Sequence, residues 1–458
     1  MRVNKHEIYS NASKIPALKF EEQKLTSFGG LVVFQNLFNK LELPKKLAAC
    51  TSHINVKRFY KHSTVLQCLI LHIVLGFQKL RDTDFYRDDP MVKRLLGIRN
   101  YPSVPTISRL LTDLDEQTVE KQRSYNRQLI LDRMDQEKWP RITLDFDGSV
   151  LGTGKHAEGT AVGFNKNKKG GRSYYPLFCT VAQSGQVFDY LFRSGNVHDS
   201  NGAIEFLVHC VEKVRRQSPN ILIEVRMDSA FFSEDMVKIL ETLKVEYTIT
   251  VPFERFTTLK QITEQRRLWW PLIGSKGKTG YFERKWKPKS WNRKNRFIFI
   301  RTKAAKQVKG PLQLDLFVPR EYGMEYKVII TNKTISTKKV VKYHEGRGQQ
   351  ENIFSELKTQ GKLGYIPTKR KIGNEIFLLC NILAHNLCRE LQMRTRKPER
   401  ATNEGRGPLW VFDGMNMLRG KFIQKAARLT SPQGILTLTL SKNKVVEAEI
   451  QKYLGAKA

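Results

Sequence analysis

The chain has 458 residues, of which 40% are hydrophobic, and this is enough for two or three domains with cores of their own. Its 79 Lys and Arg residues outnumber 44 Asp and Glu residues, and the net charge of +35 predicts a polyanionic partner. No stretch reaches the roughly 18 apolar residues of a membrane-spanning helix, and the first ten residues lack the apolar core of a signal peptide. We therefore expect nucleic acid as the partner, no membrane association and a cytoplasmic location.

Cysteine usage fits a reducing compartment. The six cysteines are scattered along the chain, with no CxxC pair and no Cys/His spacing typical of zinc: Cys50, Cys68, Cys179, Cys210, Cys380 and Cys388. They are interpreted as reduced core residues, so neither a disulfide framework nor a structural metal is expected.

Residues 1–138 read as a mainly helical region, which we predict to bind DNA. Within it, "YPSVPTISRLLTDLD" (101–115) has Thr106 as a candidate N-cap and then apolar positions on one helical face. Arg109 points away from that face, as a DNA-contacting residue of a helix-turn-helix would. An ordinary capped amphipathic helix gives the same pattern, and both interpretations stay open.

From residue 139 the pattern changes to strands. "RITLDFDGSVLG" (141–152) alternates apolar residues with polar ones, which places Asp145 and Asp147 on one face of a strand. A hairpin around Ser184 and Gly185, a helix, a strand ending at Asp228, a helix and a further strand follow. This order predicts a mixed α/β fold with a ribonuclease-H-like core, whose first part spans 139–253.

The expected third helix of that core is delayed by a basic segment, 254–340. Residues 254–320 contain 18 Lys or Arg and 4 Asp or Glu, a net charge of +14, and β runs are predicted at 296–303, 311–319 and 326–332. Four tryptophans alternate with basic residues there: Trp269, Trp270, Trp286 and Trp291. They can stack on unpaired bases or pack in a core, and the sequence leaves both open. The last part of the catalytic core is then placed at 341–395, and a basic C-terminal region at 396–458.

The helix "YHEGRGQQENIFSELK" (343–358) carries a charged stripe. At 100° per residue, Arg347, Glu351 and Lys358 share one face, while the neighbouring apolar face is predicted to pack on the core. A surface ion pair between Arg347 and Glu351 is the simplest explanation for such a stripe.

Three acidic residues together suggest chemistry. Asp147 and Asp228 lie on neighbouring predicted strands, and Glu351 lies on the helix that should pack against them. Such carboxylates can hold two Mg²⁺ ions that activate water and stabilise the leaving oxygen of a phosphodiester. In "GNVHDSNG" (195–202), His198 either approaches this site or is a hydrogen-bonded turn residue.

From about residue 141 to 388 the chain resembles DDE-type transposases of bacterial insertion sequences, in the branch with a β insertion and a Tyr-x2-Arg-x3-Glu-x6-Lys helix motif. Arg347, Glu351 and Lys358 match that motif in register, whereas His344 occupies the tyrosine position and Tyr343 is displaced by one. "LDFDGS" and "VRMDSAF" resemble the two aspartate motifs. Asp147 is preferred over Asp145 because the small-residue pair follows it.

The resemblance implies catalysis by Asp147, Asp228 and Glu351 with two Mg²⁺ ions, which Mn²⁺ can replace. It also implies binding of double-stranded DNA at terminal inverted repeats and at the target, cut-and-paste transposition, and a homodimer in a paired-end complex. Arg347 and Lys358 would contact phosphates near the cleaved end, and either His344 or Tyr343 could reach the DNA. No nucleotide cofactor is expected, since "GSKGKT" (274–279) lacks the first glycine of a phosphate-binding loop. The alternatives are a host nuclease with the same fold and a non-catalytic DNA-binding descendant.

Overall fold

The structure is a computed structural model, and it describes residues 15, 17–154, 156–163, 168–272, 279–303, 320–321, 324–399 and 405–455. The predicted β run 311–319 and most of "GSKGKT" lie outside the described residues. Within the described residues, no helix combines the length and apolar content that a membrane crossing requires.

The first part of the chain is helical, as its apolar spacing predicts. After a short strand, β1 (Leu25–Thr26), come six helices: α1 (Leu31–Lys40), α2 (Leu43–Cys50), α3 (His62–Leu75), α4 (Pro90–Leu96), α5 (Val104–Thr112) and α6 (Glu116–Gln136). A 3₁₀ turn, Leu80–Phe85, joins α3 to α4.

The predicted cap of α5 is wrong. Ser103, not Thr106, is the N-cap, and its hydroxyl accepts a hydrogen bond from the Thr106 N–H at 3.4 Å. The helix starts earlier than predicted because Pro105 fits its first turn, where no N–H is needed. Its buried face is as predicted, and Arg109 is exposed.

The next strands form the ribonuclease-H-like core. The strands are β2 (Arg141–Gly148), β3 (Leu151–Gly152), β4 (Ala161–Val162), β5 (Arg172–Tyr174), β6 (Leu177–Val181), β7 (Gln186–Leu191), β8 (Leu222–Met227) and β9 (Glu246–Val251), with helices α7 (Ala203–Gln217) and α8 (Glu234–Thr242) before β8 and β9. The core sheet has the spatial order β7-β6-β2-β8-β9, whereas β3, β4 and β5 form a separate small sheet. β2 is antiparallel to β6 and parallel to β8, and β8 is parallel to β9. The predicted mixed α/β fold is confirmed.

The two faces of this sheet differ sharply. Ile142, Leu144 and Phe146 of β2 lie in one apolar cluster with residues of α7 and α8, so burial of this face stabilises the core. The opposite face of β2 carries Thr143, Asp145 and Asp147. The predicted alternation along β2 is confirmed, and it turns two carboxylates toward a polar layer.

The basic segment extends the same sheet. It contains α9 (Thr257–Glu264), β10 (Trp270–Pro271), β11 (Thr279–Trp286), β12 (Asn295–Lys303), β13 (Arg320–Glu321) and β14 (Met324–Thr331). β14 pairs antiparallel with β9, Val328 opposite Val251, so these strands continue the core sheet outward in the order β9-β14-β12-β11-β10. The strands of the basic segment therefore extend the core sheet and cover the edge of β9.

The chain then covers the polar face of the sheet. The elements are α10 (Thr337–Glu345), a 3₁₀ turn (Gly346–Gly348), α11 (Gln349–Thr359), α12 (Lys371–Thr395), α13 (Met415–Leu418), a π-helical turn (Arg419–Ile423), β15 (Ala427–Thr430), β16 (Thr437–Leu440) and α14 (Lys444–Leu454). Buried residues of α12, α13 and α14 share one hydrophobic core with α1–α6. The helical N-terminal region and the C-terminal region are therefore packed together.

Candidate active site

Residues on the polar face of the sheet are arranged in rows across β2, β8 and β9. In the first row Thr143 lies opposite Glu224, and in the second Asp145 lies opposite Arg226. One position further along each strand's polar face come Asp147 and Asp228. The rows therefore end with two carboxylates on adjacent strand ends, a pairing of like charges that is unfavourable by itself.

In the first two rows, the carboxylates have hydrogen-bonding and basic partners that balance their negative charge. Glu224 accepts hydrogen bonds from Thr143, at 2.8 Å, and from Arg406, at 2.9 Å, and an ion pair with Lys333 spans 2.7 Å. Although burial opposes it, these partners lower the pKa of Glu224 to about 2. The chain thus neutralises its buried acids in this row.

In the second row, Asp145 is buried in an ion pair and is therefore not available for catalysis. Its Oδ2 accepts from Nη2 of Arg226 at 2.7 Å, and the aspartate is 1% exposed. Arg226 also donates to the carbonyl oxygens of Tyr343 and Gly405, at 2.8 and 2.7 Å. Of the two aspartates on β2, Asp145 is a buried ion-pair partner, and the third row remains for a reaction site.

The third row opens into a cavity of about 480 Å³. Asp147, Asp228 and Lys358 line it, and so do Arg255 and Tyr175. Asp228 stands directly after β8, where its Oδ1 accepts from the Ala230 N–H at 3.0 Å and caps a short 3₁₀ turn. Strand ends converge here because β2 and β8 are parallel, which brings residues 81 positions apart to one edge.

Asp147 is electrostatically strained. Burial and the negative charge of Asp228 together raise its pKa to about 7, although the Arg347 charge acts in the opposite direction. Nη1 of Arg347 donates to Oδ2 of Asp147 at 3.2 Å. A cation placed between Asp147 and Asp228 would relieve this repulsion.

Two residues of the predicted charged stripe, Arg347 and Lys358, lie at this cavity. Gln350 fixes the start of α11 on β2, since its Nε2 donates to the carbonyl oxygen of Asp145 at 2.9 Å. Lys358 lines the cavity; burial lowers its pKa, and the charge of Asp147 opposes that change. On the neighbouring face Ile353, Phe354 and Leu357 are buried, as predicted.

Glu351 lies on the same stripe, between Arg347 and Lys358 along the chain. Its side chain is exposed, and it is outside the residues that line the cavity. In the described part of the chain, no three Asp, Glu, His or Cys side chains stand close enough to form a metal-binding group. The catalytic role of Glu351 stays a prediction.

A fourth acid was missed by the sequence reasoning. Asp199 lines the cavity, and its Oδ2 accepts from the hydroxyl of Tyr175 at 3.0 Å. A Cβ on Gly148 would come within 2.5 Å of Asp199 Oδ1 and 2.7 Å of the Tyr175 ring, so the glycine after Asp147 allows this approach. The only sequence signal was the loop "GNVHDSNG", in which His198 drew attention instead.

His198 also lines the cavity. Its Nδ1 is 2.9 Å from the Ser200 hydroxyl, a contact within one turn. Both sequence interpretations of His198 therefore hold.

Tyr343 and His344 are both buried in this structure. Tyr343 is 0% exposed, and its ring is covered by Arg226, at 5.2 Å, and by the Lys333 ammonium, at 4.2 Å. His344 is 1% exposed, with its two ring nitrogens 2.9 Å from the hydroxyls of Thr248 and Thr250. α10 turns both side chains onto the polar face of the sheet, and contact of either one with DNA stays a prediction.

The tryptophans of the basic segment pack mainly inward. Trp291 is 7% exposed and stacks on Phe232, with ring centroids 4.9 Å apart. Trp286 is half-buried, with its ring edge-on to Phe256 and Phe297. Both rings pack on aromatic residues of the core, and stacking of either ring on DNA bases stays a prediction. Trp269 is also buried, and Trp270 is 54% exposed.

Comparison with known proteins decides the family. A family model described as "Transposase DDE domain group 1" matches residues 11–456, nearly the whole chain. The chain belongs to this family. This transposase is accordingly an enzyme of DNA transposition, which cleaves and transfers DNA strands. No curated protein matches it.

Three solved structures with similarity to this transposase are structures of transposases. The cryo-EM structure of the piggyBac synaptic complex with hairpin DNA is 13% identical, over 78% of this chain and 75% of that one, with a TM-score of 0.38. The Mos1 catalytic domain with raltegravir and Mn is 12% identical, over 34% of this chain and 76% of that one, with a TM-score of 0.18. The Mos1 paired-end complex with left transposon end is 14% identical, over 43% and 60%, also at 0.18. Similarity at this level establishes nothing further about this transposase.

Proposed function

We propose that this transposase belongs to a bacterial insertion sequence, binds its terminal inverted repeats, and catalyses Mg²⁺-dependent strand cleavage and strand transfer of the cut-and-paste type. The observation that carries the chemistry is the third row of the sheet. Asp147 and Asp228 meet at one cavity, where burial together with the charge of Asp228 raises the pKa of Asp147 to about 7. In the two preceding rows, Glu224 and Asp145 instead form ion pairs with basic residues. A cation bound between Asp147 and Asp228 would relieve their repulsion.

The donor set fits a divalent metal. Carboxylate oxygens are the preferred ligands of Mg²⁺, and the pKa of Asp147 is raised to about 7 in the absence of a cation. Asp147 and Asp228, with Glu351 from α11, would hold the metal, which supplies a water-derived nucleophile and charge stabilisation at the leaving oxygen. Glu351 would join by a change in its side-chain position, because it is exposed here.

The remaining side chains bind and orient the substrate. Arg347 uses one donor on Asp147, which leaves further guanidinium donors for a backbone phosphate. Lys358 and Arg255 add positive charge to the cavity wall, so a phosphodiester is attracted to the carboxylates that would otherwise repel it. Arg109, exposed on α5, is a candidate for contacts with DNA farther from the cleaved bond.

A cleavage assay tests the proposal. Purified protein is mixed with DNA from either side of its own gene, with Mg²⁺ or with EDTA, and the cuts are mapped to the nucleotide. The variants are Asp147→Asn and Glu351→Gln, with Glu345→Gln as a matched control, since Glu345 is exposed on α10 and does not line the cavity.

We expect Mg²⁺-dependent cuts at matching positions on both flanks, lost in both site variants and kept in Glu345→Gln. Binding of the flanks with no cleavage under any metal would contradict the proposal in favour of a DNA-binding descendant. Scattered cuts without end preference would instead indicate a nuclease. Full activity of Glu351→Gln would remove that residue from the site.

A further inference from the structure

A second cavity, which we call the lysine groove, adjoins the candidate active site. It has a volume of about 390 Å³ and shares Val150 and Lys358 with the first cavity. Its lining is Gln78, Lys79, Val150, Lys358, Lys362, Gly364 and Tyr365. The groove thus joins the end of α11 to the segment after α3, in the helical N-terminal region.

The lysine groove is strongly positive. Three lysines line it, and none of its lining residues is acidic. Asp82 lies beside the groove, and its Oδ2 accepts from the backbone N–H groups of Gln78 and Lys79 at 3.0 and 2.8 Å. These hydrogen bonds hold the Asp82 carboxylate at the start of the 3₁₀ turn. Asp147, in the adjoining cavity, is the acid whose charge acts on Lys358.

The wall opposite Lys79 is held in shape by backbone contacts. The Leu363 N–H donates to the carbonyl oxygen of Leu357 at 2.9 Å, and the Tyr365 N–H donates to that of Lys362 at 2.9 Å. The Tyr365 ring packs edge-on against Phe377, with centroids 5.5 Å apart. The groove is therefore a preformed feature that needs no refolding to accept a ligand.

Two backbone positions in this wall are informative. Lys362 has φ of +59°, a left-handed conformation in which glycine is favoured over a side-chain-bearing residue. At Gly364 the reverse holds: a Cβ would meet nothing within 4 Å, because the position faces open space. The wall thus carries a lysine where glycine suits the backbone better, and an open position where a side chain would fit.

We propose that the lysine groove binds backbone phosphates of the DNA strand whose reacting phosphodiester lies at Asp147 and Asp228. This rests on the proposed function of that cavity, which supplies the strand. Lys358 stands at the junction of the two cavities, and Lys362 and Lys79 continue the positive surface away from the carboxylates. The strand then runs from the active site toward the N-terminal helices.

Salt dependence of DNA binding tests the groove directly. The probe is a labelled 30-base-pair duplex of the flanking DNA, beside a duplex of unrelated sequence and equal length, measured by fluorescence anisotropy in EDTA so that no cleavage occurs. The groove variants are Lys79→Gln, Lys362→Gly, the double variant and Gly364→Glu. Lys45→Gln is the control, because this lysine is exposed on α2 and does not line the groove.

Each lysine that contacts a phosphate contributes about 0.9 to the slope of log Kd against log salt for duplex DNA. We expect the slope to fall by about 0.9 in each single lysine variant and by about 1.8 in the double variant, on both probes, with no change in Lys45→Gln. Gly364→Glu should weaken binding at least as much as one lysine variant. Lys362→Gly should keep or raise the melting temperature, so that its binding defect is not a folding defect.

Wild-type slopes in all groove variants would overturn the proposal. The result is independent of the cleavage assay. A lower slope together with no Mg²⁺-dependent cleavage would contradict the proposed function and keep the groove as a DNA-binding surface. Mg²⁺-dependent cleavage together with unchanged slopes would keep the proposed function and contradict the role of the lysine groove in DNA binding.

Discussion

Arg347 donates from Nη1 to Oδ2 of Asp147 at 3.2 Å, and this contact joins two residues 200 positions apart. It places the entry to α11 against the end of β2. Because Asp147 is also repelled by Asp228, the guanidinium is the nearest compensation for its charge. Through this contact, the charge of Arg347 lowers the pKa of Asp147.

Replacing Arg347 should shift the pH dependence of cleavage. The Arg347 charge lowers the pKa of Asp147, so Arg347→Met should raise it, and the acidic limb of the rate profile should move up by about one pH unit or more. Arg347→Lys should lie close to the wild type. Cleavage rates in Mg²⁺ between pH 5.5 and 9 measure the shift, and an unmoved acidic limb in Arg347→Met would show that Asp147 does not set it.

Asp199 should affect the pKa of Asp147 in the direction opposite to Arg347. Its negative charge raises the pKa of Asp147, so Asp199→Asn should move the acidic limb of the same profile to lower pH. Tyr175→Phe removes the hydrogen bond to Asp199 but leaves its charge, and is the matched control. A shift of Asp199→Asn to higher pH would contradict the electrostatic role of Asp199.

The metal-free protein should lose stability as pH rises toward neutrality. The pKa of Asp147 is about 7 in the folded chain, above the ordinary value of 3.8, so the folded state binds the proton more tightly. Between about pH 4 and 7 the Asp147 carboxyl is ionised in the unfolded chain but keeps its proton in the folded chain. The free energy of unfolding therefore falls by about 1.4 kcal/mol per pH unit in this range, with little change above pH 7.

Asp147→Asn removes this loss. In EDTA, the stability of Asp147→Asn relative to the wild type should grow by a few kcal/mol between pH 4 and 7, as measured by urea denaturation. Mg²⁺ should stabilise the wild type more at pH 8 than at pH 5, and Asp147→Asn less at either pH. Parallel stability curves for the two proteins in EDTA would show that Asp147 is not strained.

Removing one partner of the buried ion pair between Asp145 and Arg226 should lower the free energy of unfolding strongly. Arg226→Met leaves Asp145 buried without its partner and should lower the free energy of unfolding by about 3–5 kcal/mol. Arg226→Met combined with Asp145→Leu removes both charges and should recover most of that loss. Urea unfolding midpoints measure both variants, and a double variant no more stable than Arg226→Met would argue against an ion-pair origin.

Tyr343→Phe tests whether the tyrosine serves structure or DNA. Its buried hydroxyl has no hydrogen-bond partner among the described residues, so Tyr343→Phe should be neutral or slightly stabilising and should cleave DNA at the wild-type rate. Tyr343→Ala should lose about 3–5 kcal/mol, since it opens a cavity under Arg226 and Lys333. A tenfold or greater loss of cleavage in a well-folded Tyr343→Phe would instead support the DNA contact that the resemblance implies.

Local sequence was informative wherever the answer depended on periodicity. Alternation along 141–148 fixed which side chains share a face of β2, and the 3.6-residue repeat placed Ile353, Phe354 and Leu357 on the core side of α11. Periodicity also identified the individual strands and helices, and their order along the chain indicated the ribonuclease-H-like core. The boundaries of the basic segment were less informative, because nothing local shows that β14 pairs with β9.

What only the tertiary structure decided was which polar groups find partners. Asp145 and Asp147 are equivalent by pattern, yet Arg226 lies opposite one and Asp228 beside the other. Tyr343 and Trp291 look equally suited to DNA or to a core, and packing against Arg226 and Phe232 settles both as buried. Asp199 joins the cavity through a loop with no periodic signal. The sequence by itself determined the faces of strands and helices, since these follow from backbone geometry within a few residues. Partner choice depends on contacts between residues tens to hundreds of positions apart, which form only when the chain folds.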